Sequence, residues 1–249
     1  MKLVFLIKKK IPLWSKSYWV AGILLIAIFV VLNFSSPNYY LGNIFFGNVS
    51  KLYNVEFAQF FYTKSAYPLF GRATQYSHYQ LARTYFIQGD LFSTLEEAGT
   101  ELDLYPGSIS AHYLLGLTYG YLNLERMGID HFTTFLTLKP SSWAAKNDKA
   151  WLQFRIGDID GALATLEPAN DYNPWTQNTY GTMLLNKGRL VEAKKAFLAA
   201  EYAANNTSQT QWGKAYPGND PRIYPLGLEA MKKIISENIA LVNKKLAKK

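Results

Sequence analysis

Cysteine is absent from the 249-residue chain, and histidine occurs only three times. Without cysteine there is no disulfide framework, no thiol nucleophile and no thiolate metal site. The motifs Gly-x-Ser-x-Gly, His-Glu-x-x-His and Gly-x-x-x-x-Gly-Lys-Ser/Thr are also missing. We therefore predict that the chain is not an enzyme, and we assign it no catalytic residue, no metal ligand and no cofactor.

The few titratable groups that could suggest chemistry have simpler interpretations. His78 and His112 are 34 residues apart in similar segments, so packing explains them better than metal binding. His131 follows Asp130 and is interpreted as a solvated side chain. No pattern raises one carboxyl pKa above another, and solvated faces are predicted for three acidic pairs: Glu96–Glu97, Glu101–Asp103 and Asp158–Asp160.

Basic charge is concentrated at the two ends of the chain. The formal net charge is +8. Residues 1–17 contribute five lysines, and residues 228–249 contribute six lysines against two glutamates. The 210 residues between them hold 15 basic and 16 acidic side chains, a net charge of −1. The body has no basic face large enough to predict binding of nucleic acid.

The second unusual segment lacks charge altogether. Between Ser17 and Ser50 there is no charged residue, and residues 18–34 form an almost wholly apolar run of 17 residues with aromatic rings near both ends. Such a run is typical of a transmembrane helix. A buried core helix is the alternative, but core helices rarely lack a polar stripe.

The lysines give the predicted span an orientation. Five precede the apolar run, whereas only Lys51 follows it closely, so the positive-inside rule keeps residues 1–17 in the cytoplasm. We expect a single-pass protein of the cytoplasmic membrane with an extracytoplasmic C-terminal domain. A cleaved signal peptide is the alternative, although residues 33–37 contain no small-x-small cleavage site.

The body of the chain repeats with a period of 34 residues. Pro106, Pro140 and Pro174 show this spacing, and residues 77–85 align without a gap on residues 111–119. Further copies cover residues 148–162 and 180–197. Shared features are a large residue followed by a small one and then an aromatic (Leu81, Ala82, Tyr85; Leu115, Gly116, Tyr119), a turn glycine (Gly89, Gly157, Gly188) and a later alanine (Ala162, Ala193).

On these residues the chain resembles the tetratricopeptide repeat (TPR) family over roughly residues 75–205. The resemblance implies a right-handed α-solenoid of antiparallel helical hairpins in an all-α protein. Small residues allow two helices to approach closely where they cross, and glycine after the first helix provides a left-handed cap. Asn123 replaces the turn glycine of the second copy, and Pro168 predicts distortion around residues 165–174.

The remaining segments flank the repeats. Residues 35–74 are expected to form a linker and a helix, or a degenerate repeat. Residues 206–221 are rich in small and polar side chains and predict a loop. Residues 222–249 predict a helix that caps the last repeat and carries a basic tail, with an apolar stripe at helical spacing: Leu228, Met231, Ile235, Ile239, Val242 and Leu246.

The resemblance also implies a ligand groove along the first helices. Family positions carried onto this sequence give a lining of aromatic, amide and guanidinium side chains: Tyr79, Arg83, Tyr113, Tyr121, Asn147, Trp151, Arg155 and Asn178. Part of this set could instead pack between repeats. Such a lining suits an extended protein segment or a glycan.

Three functions remain open at this point. The first is a membrane-anchored scaffold that binds other proteins and helps to assemble or organise a cell-envelope complex. The second is a non-catalytic, glycan-binding accessory of envelope polysaccharide synthesis. The third is an adaptor on the cytoplasmic face of the membrane, which would require the lysine rule to fail.

Overall fold

The computed structural model describes residues 13–47, 52–167, 173–215 and 227–248, without the side chains of residues 13–17 and 213–215. The chain divides into two compact units, residues 1–106 and 107–249. Within the described residues the secondary structure is helical, apart from an isolated bridge between Phe34 and Phe70. Repeated helical hairpins make up both units, which confirms the predicted all-α class.

The first unit contains an N-terminal helix and two hairpins. Its helices are α1 (Leu13–Val31), α2 (Ser35–Phe46), α3 (Val55–Ala66), α4 (Ser77–Gln88) and α5 (Leu91–Leu104). Helix α2 packs against α3, α3 against α4, and α4 against α5. The α2–α3 pair shows that residues 35–66 form a hairpin of their own.

From Tyr18 onward, helix α1 is apolar on every side. From Tyr18 to Val31 its side chains carry no charge, and all but Gly22 and Val30 are exposed, with Leu25 67% exposed. Across the described residues, no helix combines the length and the hydrophobicity that crossing a bilayer requires. The transmembrane helix predicted over residues 18–34 is therefore not shown, and α1 itself ends at Val31, three residues before the apolar run does.

The second unit contains three hairpins and two further helices. Its helices are α6 (Ile109–Tyr121), α7 (Glu125–Leu138), α8 (Trp143–Arg155), α9 (Ile159–Leu166), α10 (Pro174–Asn186), α11 (Leu190–Asn205), α12 (Gln209–Ala215) and α13 (Gly227–Leu246). Helix α9 has only eight residues, in agreement with the distortion expected near Pro168. Residues 168–172 lie outside the described part of the chain.

Two segments after the repeats differ from the sequence-based expectation in detail. The predicted loop 206–221 contains α12, because Trp212 is buried against Trp175 with ring centroids 4.1 Å apart. The predicted capping helix is present as α13, which packs on α11 and buries Leu228, Ile235 and Val242. The apolar stripe of this helix thus covers the end of the last hairpin.

Helix starts and turns follow the residue types expected for them. Asp90, Asp158 and Asn173 each cap a helix by accepting a hydrogen bond from the backbone N–H three residues later. The turns inside four of the hairpins, from α4–α5 to α10–α11, use a left-handed residue with φ between 59° and 84°: Gly89, Asn123, Gly157 and Gly188. Asn123 is therefore in the conformation that the glycine would have adopted.

The hairpins close through a small residue on the first helix. A Cβ built on Gly116 would lie 2.9 Å from the ring of Phe132, and one built on Gly181 would lie 2.7 Å from the ring of Phe197. In both hairpins the two residues are 16 positions apart, and the same spacing joins buried Ala150 to buried Leu166. Glycine permits the closest approach, and a large ring fills the opposite position.

Candidate functional site

One concave site of the second unit is a pocket between α6 and α8. Its volume is about 200 Å³. Residues from the two first helices and one second helix form it: Gly116, Leu117, Gly120, Tyr121, Phe132, Asp148, Trp151, Leu152 and Arg155. The pocket therefore lies along the first helices, where the resemblance placed a groove.

Glycines allow large apolar side chains to pack closely at the floor of this pocket. Gly116 and Gly120 are one helical turn apart on α6, so the same face of that helix lacks side chains at both positions. Phe132 and Leu152 fill the space beneath them, and a Cβ on Gly120 would lie only 3.0 Å from a methyl carbon of Leu152. The floor is thus apolar and closely packed.

Aromatic side chains form the walls. Tyr121 is 66% exposed and Trp151 is 44% exposed. The Trp151 ring stacks on Phe154 with centroids 5.5 Å apart, which restricts its position. Two exposed rings over an apolar floor provide a large contact area at a small cost in conformational entropy.

Opposite charges lie at the two ends of the pocket wall. Asp148 and Arg155 are seven residues apart on α8, which places them on one face about 10 Å from each other along the axis. The Asp148 carboxylate accepts a hydrogen bond of 2.7 Å from the Tyr113 hydroxyl. The guanidinium of Arg155 donates to the Gly120 carbonyl at 2.9 Å and forms a 2.8 Å ion pair with Glu125.

These partners hold Arg155 against the end of α6. A third hydrogen bond joins its guanidinium to the side chain of Asn123, the left-handed turn residue. Because Glu125 offsets its charge, Arg155 acts mainly as a fixed wall of the pocket.

The structure distributes the eight predicted groove residues among different environments. Tyr121, Trp151 and Arg155 line the pocket together. Tyr113 is buried and orients Asp148, and Asn147 is also buried. Their roles as ligand contacts stay predictions.

The other three predicted residues are not part of the pocket. Asn178 accepts a hydrogen bond of 2.9 Å from Asn238 of α13. In the first unit, the Arg83 guanidinium lies over the Phe46 ring at 4.6 Å and over the Tyr79 ring at 5.8 Å. Arg83 therefore takes part in an intramolecular contact with α2.

Sequence reasoning missed Asp148 and the floor glycines as pocket residues. Asp148 precedes Trp151 by three positions and Arg155 by seven, so a helical periodicity test would have placed it on their face. The sequence did not identify Gly120 as a pocket residue, because an isolated glycine in a helix has many possible structural explanations.

Two acidic residues predicted as solvated are buried in the first unit, so that prediction was wrong for them. Glu97 accepts a hydrogen bond from the Tyr67 hydroxyl at 2.8 Å and pairs with His78 at 2.7 Å. Burial and this carboxylate raise the pKa of Tyr67 above its ordinary value. Glu101 accepts hydrogen bonds from the backbone N–H groups of Tyr76 and Tyr79, and so caps the start of α4.

The solvated interpretation of His131 was also wrong. Its ring stacks on Tyr119, and its Nδ1 lies 3.0 Å from Nδ1 of His112. Burial is the main cause that lowers the pKa of both imidazoles below the ordinary value. Among the described residues, no group of three or more imidazole and carboxylate side chains is placed to hold a metal ion.

Comparison with solved structures identifies proteins with a similar fold. The chain matches TTC0263, a thermophilic TPR protein of Thermus thermophilus, with a TM-score of 0.52 and 18% identity over 69% of this chain and 92% of that one. The MamA RS-1 ArsTM double mutant matches with a TM-score of 0.60 and 12% identity over 70% and 97% of the two chains. At these identities the likeness shows a TPR-type fold.

Sequence comparison gives a partial relative. Cell division cycle protein 27 homolog B of Arabidopsis thaliana is 28% identical over 157 residues. The match covers 59% of this chain but only 21% of that protein, so the chain spans about a fifth of its relative. The chain matches no protein-family model.

Proposed function

We propose that the chain is a TPR-family interaction scaffold that binds an extended segment of a partner protein in the α6–α8 pocket. The observation that carries this proposal is the combination of a concave apolar floor with two exposed aromatic walls. Tyr121 and Trp151 lie around one cavity, so both rings can contact the same ligand side chain. The size of the pocket suits one large apolar side chain of the ligand.

A cross-linking experiment tests the pocket. A photoreactive phenylalanine analogue replaces Tyr121 in one variant and Tyr202 in a matched control, since the two tyrosines are 66% and 68% exposed. We expect partner cross-links from position 121 and none from position 202. Peptides of the cross-linked protein should then bind the unmodified chain, and Trp151→Ala should weaken this binding by about tenfold or more. Equal binding by Trp151→Ala would contradict the proposal.

We also propose that α1 attaches the chain to a membrane, with the orientation predicted from the lysines. The support is the surface of α1: from Tyr18 to Val31 it is apolar on all sides and largely exposed, and water is a poor solvent for such a surface. A scaffold held there would recruit its partner at the membrane. Assembly of a cell-envelope complex is the role that fits this arrangement.

Protease accessibility tests the attachment and the orientation. The chain should remain in the membrane fraction after alkaline extraction, and Leu25→Asp should release it. Protease added to intact cells or spheroplasts should digest the C-terminal domain. Protection until lysis would contradict the orientation and would support a cytoplasmic-facing adaptor.

A further inference from the structure

The segment between α3 and α4 folds back onto the point where the apolar run ends. The backbone N–H of Phe70 donates to the carbonyl of Asn33 at 3.2 Å, and the rings of Phe34 and Phe70 lie 5.8 Å apart. Phe34 is the last residue of the apolar run 18–34. A loop distant in sequence therefore lies beside the exit of the chain from α1.

The tip of this loop is apolar and exposed. Leu69 is 65% exposed and Phe70 is 37% exposed, next to Phe34 at 43%. Gly71 then turns the chain with a φ of 82°, and the following residue, Arg72, is exposed. Two adjacent apolar side chains followed by a turn and a cation are typical of a segment that enters a membrane interface.

The loop is held firmly in this position. The Ser35 hydroxyl accepts a hydrogen bond of 2.7 Å from the backbone N–H of Thr74, and the hydroxyls of Ser36 and Thr74 are 3.2 Å apart. The Tyr105 hydroxyl also donates to the Ala73 carbonyl at 2.6 Å. These bonds fix the loop to the start of α2 and to the end of α5, so Leu69 and Phe70 keep their place beside the end of α1.

We propose that Leu69 and Phe70 form a second membrane contact, inserted into the interface beside the end of α1, with Arg72 among anionic headgroups. This inference rests on the membrane attachment of α1 proposed above. If α1 is embedded, its last turn lies near the interface, and a loop bonded to Asn33 lies at the same level. Two contacts at one level fix the tilt of the first unit on the membrane, which a single flexible helix would leave free.

The absence of cysteine makes a direct test possible. Three single-cysteine variants of the full chain, Leu25→Cys, Leu69→Cys and Leu52→Cys, carry the environment-sensitive dye NBD. Leu52 is the matched control, because it is 60% exposed and precedes α3, whereas Leu69 follows that helix. The proteins are reconstituted in vesicles of phosphatidylcholine and phosphatidylglycerol in equal parts, with nitroxide-labelled lipids as quenchers.

Each outcome decides a different claim. We expect deep nitroxides to quench position 25, shallow nitroxides to quench position 69 with a blue-shifted emission, and neither to quench position 52. Quenching at 25 without quenching at 69 would overturn the second contact and leave the α1 attachment standing. Equal quenching at 69 and 52 would overturn the localised contact in favour of a hairpin lying flat. No quenching at 25 would overturn both proposals.

The anionic component has its own expected result. In vesicles of phosphatidylcholine alone, quenching at position 69 should decrease, because Arg72 loses its headgroup partners. The change Arg72→Gln should produce the same decrease in the mixed vesicles and no change at position 25. Identical quenching in the two vesicle types would remove Arg72 from the proposed contact.

Discussion

Replacement of Gly181 by alanine should destabilise the chain although alanine is the better helix former. The added methyl group would lie 2.7 Å from two ring carbons of Phe197, a side chain with no exposed surface. Overpacking of this kind costs about 1–3 kcal/mol, whereas Gly→Ala inside a helix contributes about 1 kcal/mol of stability. We expect a net loss of about 1 kcal/mol.

The sign should reverse when the ring is made smaller. The α8–α9 hairpin has Ala150 and Leu166 where the α10–α11 hairpin has Gly181 and Phe197, and both residues of the alanine–leucine pair are buried. Phe197→Leu alone should cost about 1–2 kcal/mol through the cavity it leaves. In that background Gly181→Ala should stabilise the chain by about 1 kcal/mol, because the helix preference remains and the steric conflict is relieved.

Urea denaturation of the four proteins, followed by helical circular dichroism in one detergent, measures the coupling. Gly99→Ala is the control, since a Cβ at this position of α5 would meet nothing within 4 Å, and it should stabilise the chain by about 1 kcal/mol. If Gly181→Ala changes the free energy of unfolding equally in both backgrounds, the close approach of α10 and α11 is not the reason for the glycine.

Three further predictions concern buried polar and aromatic groups. Glu101→Ala should lower the free energy of unfolding, measured by urea denaturation, by about 2–4 kcal/mol, because two part-buried backbone N–H groups lose their acceptor, and Glu101→Gln should cost less. Burial lowers the folded pKa values of His112 and His131 below 6.5, so on acidification the unfolded chain binds protons at a higher pH than the folded chain does. The melting temperature should therefore fall as the pH decreases below about 6.5, and it should fall less in His131→Phe. Trp212→Ala should free α12 at a local cost of about 3 kcal/mol, and limited proteolysis of residues 206–215 should accelerate roughly a hundredfold.

The repeats were predictable because each helical hairpin requires particular residue types, and these residue types recur at a fixed spacing in the sequence. A crossing of two helices needs a small residue, and a left-handed turn needs glycine or asparagine, so Gly116, Gly188 and Asn123 could be interpreted without a structure. The capping helix was predictable for a similar reason, since its apolar stripe is continuous.

The site could be predicted only in part. Tyr79 and Tyr113 occupy equivalent repeat positions, yet Tyr113 is only 8% exposed and Tyr79 is half-buried. Successive residues of a helix are rotated by about 100°, so each ring points in a fixed direction from its helix. The angle at which the next hairpin packs then decides whether that ring is covered or faces solvent. A repeat alignment contains no such angle.

The buried carboxylates escaped prediction because of the loop that follows α3. Glu97 and Glu101 have the spacing of an exposed helical face, and their hydrogen-bond partners Tyr67 and Tyr76 come from residues 67–76. That segment has no periodicity from which its path could be inferred. The same loop carries Leu69 and Phe70, so the irregular part of the first unit determines features that the repeat pattern does not.

The glycines of α6 link the stability of the second unit to its binding site. Gly116 lets α7 approach, and Gly120 lets Leu152 of α8 approach while its carbonyl accepts a hydrogen bond from Arg155. A residue with a Cβ at position 120 would favour the helix, but the Cβ would lie only 3.0 Å from a methyl carbon of Leu152. The close packing that requires this glycine also holds Arg155 and Leu152 in place, so the position of the pocket lining depends on the contact that stabilises the two helices.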